Sequence, residues 1–172
     1  MTSKKNRAFT SPSKSSGNSL LPWMGIAFIV ILLDQISKIT ILRSFELYEI
    51  KPVTSFFNLA YHINKGASWG LLDTASGWQK YLFIAIGIVA SIVMIYLIKQ
   101  SANQRRFCWA LSLIMGGALG NVIDRIWHGH VIDFLSVHYQ DVYTFPTFNL
   151  ADSAICLGAF LFILDELRRV KK

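Results

Sequence analysis

Five carboxyl or amide side chains, Asn121, Asp124, Asp133, Asn149 and Asp152, fall between Gly116 and Ser153 at the borders of long apolar runs. An ionised carboxylate near the hydrocarbon of a bilayer costs roughly 2.5 kcal/mol or more to insert, so each is a functional candidate by default. Asp133, in Val-Ile-Asp-Phe, and Asp152, in Phe-Asn-Leu-Ala-Asp-Ser, each begin or end a hydrophobic segment on either side of a polar connection. Two carboxyls held within about 3 Å cannot both ionise, and one shared proton leaves one group a base and its neighbour an acid. Such a pair activates water against an amide carbonyl and then protonates the leaving nitrogen, without a metal or a nucleophilic side chain. The pair titrates as a unit. The expectation is a catalytic aspartate pair at a membrane surface.

The elements that must carry these groups are apolar. Of the 172 residues 53% are hydrophobic, more than a small soluble core needs, which indicates a membrane protein of one domain. Runs at Leu20 to Leu42, Tyr81 to Ile98, Phe107 to about Ile126 and Phe148 to Leu164 approach the ~20 residues that cross a hydrocarbon layer ~30 Å thick. Four transmembrane helices put both termini on one side. The net charge of +7 is concentrated at that side, in Lys4, Lys5, Arg7 and Lys14, then Lys99, Arg105 and Arg106, then Arg168, Arg169, Lys171 and Lys172. By the positive-inside rule the termini are cytoplasmic. These clusters lack interleaved aromatics, so nucleic acid is not an expected partner.

Residues 1–19, rich in Ser, Lys and Asn, read as a disordered cytoplasmic tail, and residues 20–172 as a four-span membrane domain. The tail and first run mimic a secretory signal, but Asp34 follows Leu33 where a small-residue cleavage site would stand, so the span is retained. The outer loop from Arg43 to Lys80 is too long for a mere connection. Its Val53 to Phe57 and Leu59 to Ile63 stretches suit strands, giving a small extracytoplasmic β-sheet on the membrane. Trp69 and Trp78 suit anchors at the headgroup level.

Several motifs carry both a structural and a functional reading. Asp34 and Lys38, spaced i,i+4, share a helix face as an ion pair that orients the first span or supports the site. Gly116, Gly117, Ala118 and Gly120 form a small-residue surface for close helix packing. Asn121, Asp124 and Arg125 converge one turn beyond, either as an Asp124–Arg125 pair or as a scaffold holding Asn121. Asp152 could serve as a helix N-terminal partner, a use worth about 0.3–1 kcal/mol, small against its desolvation. His128 and His130 are too close for an i,i+4 zinc pair, Ser136 and Ser153 lack the usual neighbouring base of a serine mechanism, although His138 stands two residues from Ser136, and Cys108 and Cys156 read as buried free thiols. Neither a metal nor another cofactor is expected.

The blocks Leu33 to Lys38, Asn64 to Gly70, Gly116 to Arg125, Val131 to Phe134 and Phe148 to Ser153 resemble, in order, the signatures of bacterial lipoprotein signal peptidase, also called signal peptidase II. The resemblance runs from about Pro22 to the C-terminus. It implies a four-span inner-membrane aspartic endopeptidase, its site at the extracytoplasmic face, that removes the signal peptide from a prolipoprotein just before a diacylglyceryl-bearing cysteine. It implies Asp133 and Asp152 as the catalytic pair, with Asp34, Asn64, Asn121, Asp124, Arg125 and Asn149 lining or bracing the site. The partners implied are the lipid-modified precursor and membrane lipids, with the enzyme a monomer. A proton-coupled transporter also keeps carboxylates in its spans but wants them near the midplane, among broken helices. A structural assembly factor using the glycine face would be indifferent to loss of both aspartates.

Overall fold

The computed structural model describes residues 19–66, 77–139 and 142–170. The basic tail, the loop around Trp69 and the acidic residues Asp73 and Asp141 lie outside the described residues.

Among the described residues the elements run, in order, α1 (Leu21–Ser44), β1 (Ile50–Pro52), β2 (Phe57–Asn64), α2 (Trp78–Gln100), α3 (Arg105–Trp127), β3 (Val131–Tyr139), β4 (Tyr143–Thr144) and α4 (Leu150–Val170). Among the described residues three helices, α1, α2 and α3, are long and apolar enough to cross a membrane. α4, at 21 residues, is long enough but carries Asp152, Asp165, Glu166, Arg168 and Arg169, and it is not one of the three.

α3 is the hub, packing against each of the other helices. Its apolar window is 67% buried, against 22% for α1 and for α2, whose remaining surface of Phe28, Ile29, Val89 and Ile92 faces outward. Such all-round apolarity is what a lipid-facing helix requires. The small residues expected to allow close approach do so. A side chain at Gly116 would press on the Ala27 carbonyl and Val30 of α1, and one at Gly117 on the Ala151 carbonyl of α4.

The sheet is antiparallel in the order β1-β2-β3-β4. Its strands are shifted from those expected. Val53 to Phe56 forms the turn between β1 and β2, with the Val53 and Thr54 N–H groups both donating to the Phe57 carbonyl. β3, at Val131–Tyr139, was not foreseen as a strand; it lies beside β2 with Asp133 opposite His62, past an irregularity between Leu59 and His62. α4 begins two residues later than expected because Phe148 bridges to Leu135 of β3. Cys108 is buried as expected, whereas Cys156 is exposed on the outward side of α4, beside exposed Leu157.

Candidate active site

The end of β2, the start of β3, the last turns of α3 and the first turn of α4 meet at one place. β3 brings in Asp133, only 2% exposed. Its Oδ2 accepts from Asn64 Nδ2 at 3.0 Å and its Oδ1 from Asn149 Nδ2 at 2.7 Å.

Asn149 and Asp152 close the first turn of α4 reciprocally. The Asp152 N–H donates to Asn149 Oδ1 at 2.9 Å, and the Asn149 N–H donates to Asp152 Oδ2 at 3.2 Å. This is the logic of a capping box, which satisfies donors that a helix start leaves free. Asp152 thus has a structural use at the helix start. Its other oxygen, Oδ1, accepts from Asn121 Nδ2 of α3 at 2.8 Å. Asn149 therefore bonds both aspartates, Asp133 through its side-chain amide and Asp152 through its backbone, and so brings the two acids of the sequence reading together.

The electrostatics follow from that placement. Burial, and next the negative charge of nearby Asp152, push the Asp133 carboxyl up from its ordinary 3.8 to about 7, while the bonds from Asn64 and Asn149 pull the other way. Near neutral pH Asp133 is poised to carry a proton that an exposed aspartate would have lost. Asp152 is only partly buried and forms part of the wall of a cavity of about 510 Å³, together with Phe145, Pro146, Thr147, Phe148, Ser153 and Cys156. A second recess, of about 560 Å³, lies beside Lys65, Trp78, Lys80 and Tyr81 and is lined by neither aspartate.

Beneath the aspartates lies a buried charge cluster. Lys38 Nζ meets Asp34 Oδ2 and Asp124 Oδ2, each at 2.8 Å, which makes the Asp34–Lys38 ion pair real and adds α3 to it. Asp34 also accepts the Ala151 N–H of α4 at 2.9 Å through Oδ1. Asp124 accepts Gln35 Nε2 at 2.8 Å and the Ile132 N–H at 3.2 Å, tying β3 to α3. The Asp124–Arg125 pairing gives way to this arrangement. The guanidinium of Arg125 instead donates to the carbonyls of Gly66 at 2.9 Å and Asn121 at 3.3 Å, and lies over the Phe83 ring of α2. Asn64 donates to Asp133, and the Asn149 amide donates to Asp133, the Ile132 carbonyl and Asn121 Oδ1, so both brace the site as the resemblance implied.

Sequence reasoning missed Gln35 and Phe83, and it weighed Lys38 as a support only through Asp34, without its bonds to Asp124 and Asn121. Gln35 carried a signal, being a polar residue inside an apolar span next to Asp34. Phe83, one aromatic among many, carried none. The His128 and His130 rings lie 6.1 Å apart, tilted by 39°, and burial, then His128, depress the His130 ring below its ordinary value. Among the described residues no group of three or more His, Cys, Asp or Glu side chains is placed to hold a metal.

A family model described as signal peptidase (SPase) II matches residues 26–168, most of the chain. The chain belongs to the signal peptidase II family. Proteins named lipoprotein signal peptidase from Janthinobacterium sp. (strain Marseille) and Burkholderia mallei (strain SAVP1) are 60% and 55% identical to it, each match covering 92% of this chain and 95% of the relative. A solved bacterial membrane enzyme, determined by the in meso method at 2.3 Å, superposes with a TM-score of 0.78 at 33% identity, over 88% of this chain and 90% of the other. A second, at 1.9 Å, gives 0.74 at 33% identity, over 86% and 94%. Membership in signal peptidase II makes the chain a membrane protease and lends no support to the transporter reading.

Proposed function

We propose that this signal peptidase II is an aspartic endopeptidase that removes the signal peptide from diacylglyceryl-modified prolipoproteins, cutting before the lipidated cysteine, with Asp133 and Asp152 as its catalytic pair. The observation that carries the reading is Asn149 bonded to both acids, one of which is pushed up to about 7.

In the proposed cycle Asp133 enters protonated and Asp152 ionised. Asp152 takes a proton from water as the water oxygen bonds to the scissile carbonyl carbon. Asp133 gives its proton to the carbonyl oxygen, producing a neutral tetrahedral diol. The proton on Asp152 then passes to the amide nitrogen, the C–N bond breaks, and a diol proton returns to Asp133 as the carbonyl re-forms. No metal enters any step. Asn64 and Asn149 hold Asp133 in place, Asn121 holds Asp152, Asp34 and Asp124 brace them through Lys38, and Arg125 fixes the Gly66 end of the loop that follows β2. Pre-set geometry of this kind lowers the barrier without further reorganisation.

The polar start of α4 sits at the outer membrane surface and its apolar middle forms a fourth span. That gives a four-span domain in the inner membrane, both termini cytoplasmic and the site extracytoplasmic. The enzyme works as a monomer, its partners being the lipidated precursor and membrane lipids. The test is turnover of a synthetic diacylglyceryl precursor peptide by inserted Asp133→Asn and Asp152→Asn, followed by mass. Each substitution is expected to abolish cleavage. Near-normal turnover by either refutes the aspartate pair.

A further inference from the structure

The Lys38 ammonium is 1% exposed, and its three protons have three acceptors: Asp34 Oδ2 at 2.8 Å, Asp124 Oδ2 at 2.8 Å and Asn121 Oδ1 at 3.0 Å. The first contact lies within α1 and the second ties α1 to α3. The third does something else. A side-chain amide has two unlike ends, an oxygen that accepts and a nitrogen that donates. The Asn121 oxygen receives Lys38 and, at 3.3 Å, Asn149 Nδ2, while its nitrogen donates to Asp152 Oδ1 at 2.8 Å. Turned over, the amide would set an NH₂ group against an ammonium that can only donate and an oxygen against a carboxylate. Both contacts would repel, so the charge on Lys38 selects one orientation.

We propose that Lys38 is a positioning residue for the reaction: by gripping the Asn121 oxygen it turns the Asn121 N–H toward Asp152 and keeps that carboxylate ready to receive the proton of water. The inference rests on the proposed roles of Asp133 and Asp152. The charged side chains around Asn121 and Asp152 are Asp34 and Lys38 from α1, Asp124 and Arg125 from α3, and Asp133 from β3. Of the two cations, Arg125 bonds the Asn121 backbone carbonyl and Lys38 its side-chain oxygen.

Removing Lys38 alone would strand Asp34 and Asp124 as buried carboxylates. The informative variant therefore combines Lys38→Met with Asp124→Asn, which deletes one cation and one anion and keeps the net charge of the cluster. The reference is Asp124→Asn alone, which carries whatever Asp124 contributes. Both are purified in detergent and assayed for kcat and KM on the lipidated precursor peptide. Relative to the reference, kcat is expected to fall about tenfold or more, the size of a lost hydrogen bond to a charged group. KM is expected to hold, since each bond of Lys38 runs to a group of the protein.

A lysine that merely ties α1 to α3 would alter stability and leave kcat of the folded enzyme alone. That result overturns the proposal, and so does failure of the charge-matched double variant to insert. Asp152→Asn, assayed alongside, separates this inference from the reading beneath it. If that variant cleaves, the aspartate pair itself falls. If it is inactive while the double variant matches its reference, only the role of Lys38 falls.

Discussion

Asp133 is held in a place where its charge is unwelcome, and folding stability should register this as well as catalysis. Its carboxyl rises from 3.8 to about 7 through burial first and the nearby Asp152 charge second. Between those values the folded protein holds a proton that the unfolded chain has released. Stability contributed by this group is therefore complete below pH ~4, falls as pH rises toward ~7, and is level above that. Each pH unit in the window is worth about 1.4 kcal/mol, so from pH 5 to pH 8 the wild type should lose about 3 kcal/mol from Asp133 alone. Asp133→Asn removes that slope. The amide also sets a donor against the donating amides of Asn64 and Asn149, a cost of about 1–3 kcal/mol that is the same at every pH. His130 titrates in both proteins and cancels in the comparison. Unfolding free energy measured in mixed micelles at pH 5 and pH 8 should then show a drop in the wild type larger than in the variant by about 3 kcal/mol. Equal drops, within about 1 kcal/mol, would refute the claim that Asp133 is neutral in the folded enzyme below pH 7.

Asn149→Ala removes the donor to Asp133 and the acceptor that caps Asp152. It should lower kcat about tenfold to a hundredfold and stability by about 1 kcal/mol, and it should shift the alkaline limb of kcat upward, since the Asn149 bond is one of the forces holding Asp133 down. An alkaline limb that stays in place argues against the assignment. Gly120→Val places a side chain where a Cβ would already stand 2.6 Å from Asp34 Oδ2, with Ala151 of α4 close by. Overpacking against a buried charge should cost about 1–3 kcal/mol or more, read as a lower melting temperature, and an unchanged melt would mean that α3 and α1 have room to part. Turnover should be indifferent to excess chelator. Activity lost to chelation and restored by zinc would bring back His128 and His130 as metal ligands.

The helices were legible because hydrocarbon imposes a length and a composition that sequence displays openly. Each apolar run reappears as a helix, with ends shifted by a few residues at polar borders such as Trp78 and Gln100. The sheet was harder to read. Val53 to Phe57 has the β-branched and aromatic residues of a strand, yet Val53 to Phe56 turns, because pairing between Ile50–Pro52 and Asn58–Ala60 leaves those residues as the link. β3 hid for another reason. Val131 to Phe134 is buried throughout, so it lacks the alternation that marks a strand with one wet face. Its strand identity is fixed by Asn58, His62 and Asn64 across the ladder, partners far away in sequence.

The acids of the site were legible for the reason that makes them costly. A carboxylate at an apolar border stands out, whereas the partner that makes it tolerable does not. Asp124 shows the difference: its sequence neighbour Arg125 looked like its counter-ion, but Lys38, 86 positions upstream, takes that place. Geometry explains the choice. On a helix, adjacent residues point about 100° apart, so Asp124 and Arg125 cannot share a direction without bending back on one another. Asp124 faces α1 and the start of β3, while Arg125 faces Gly66 and the Phe83 ring. This division gives the site separate supports, one reaching Asp152 through Lys38 and Asn121, the other holding the end of the β2 segment beside Asn64 and hence Asp133. A single substitution in either support should therefore displace one acid more than the other.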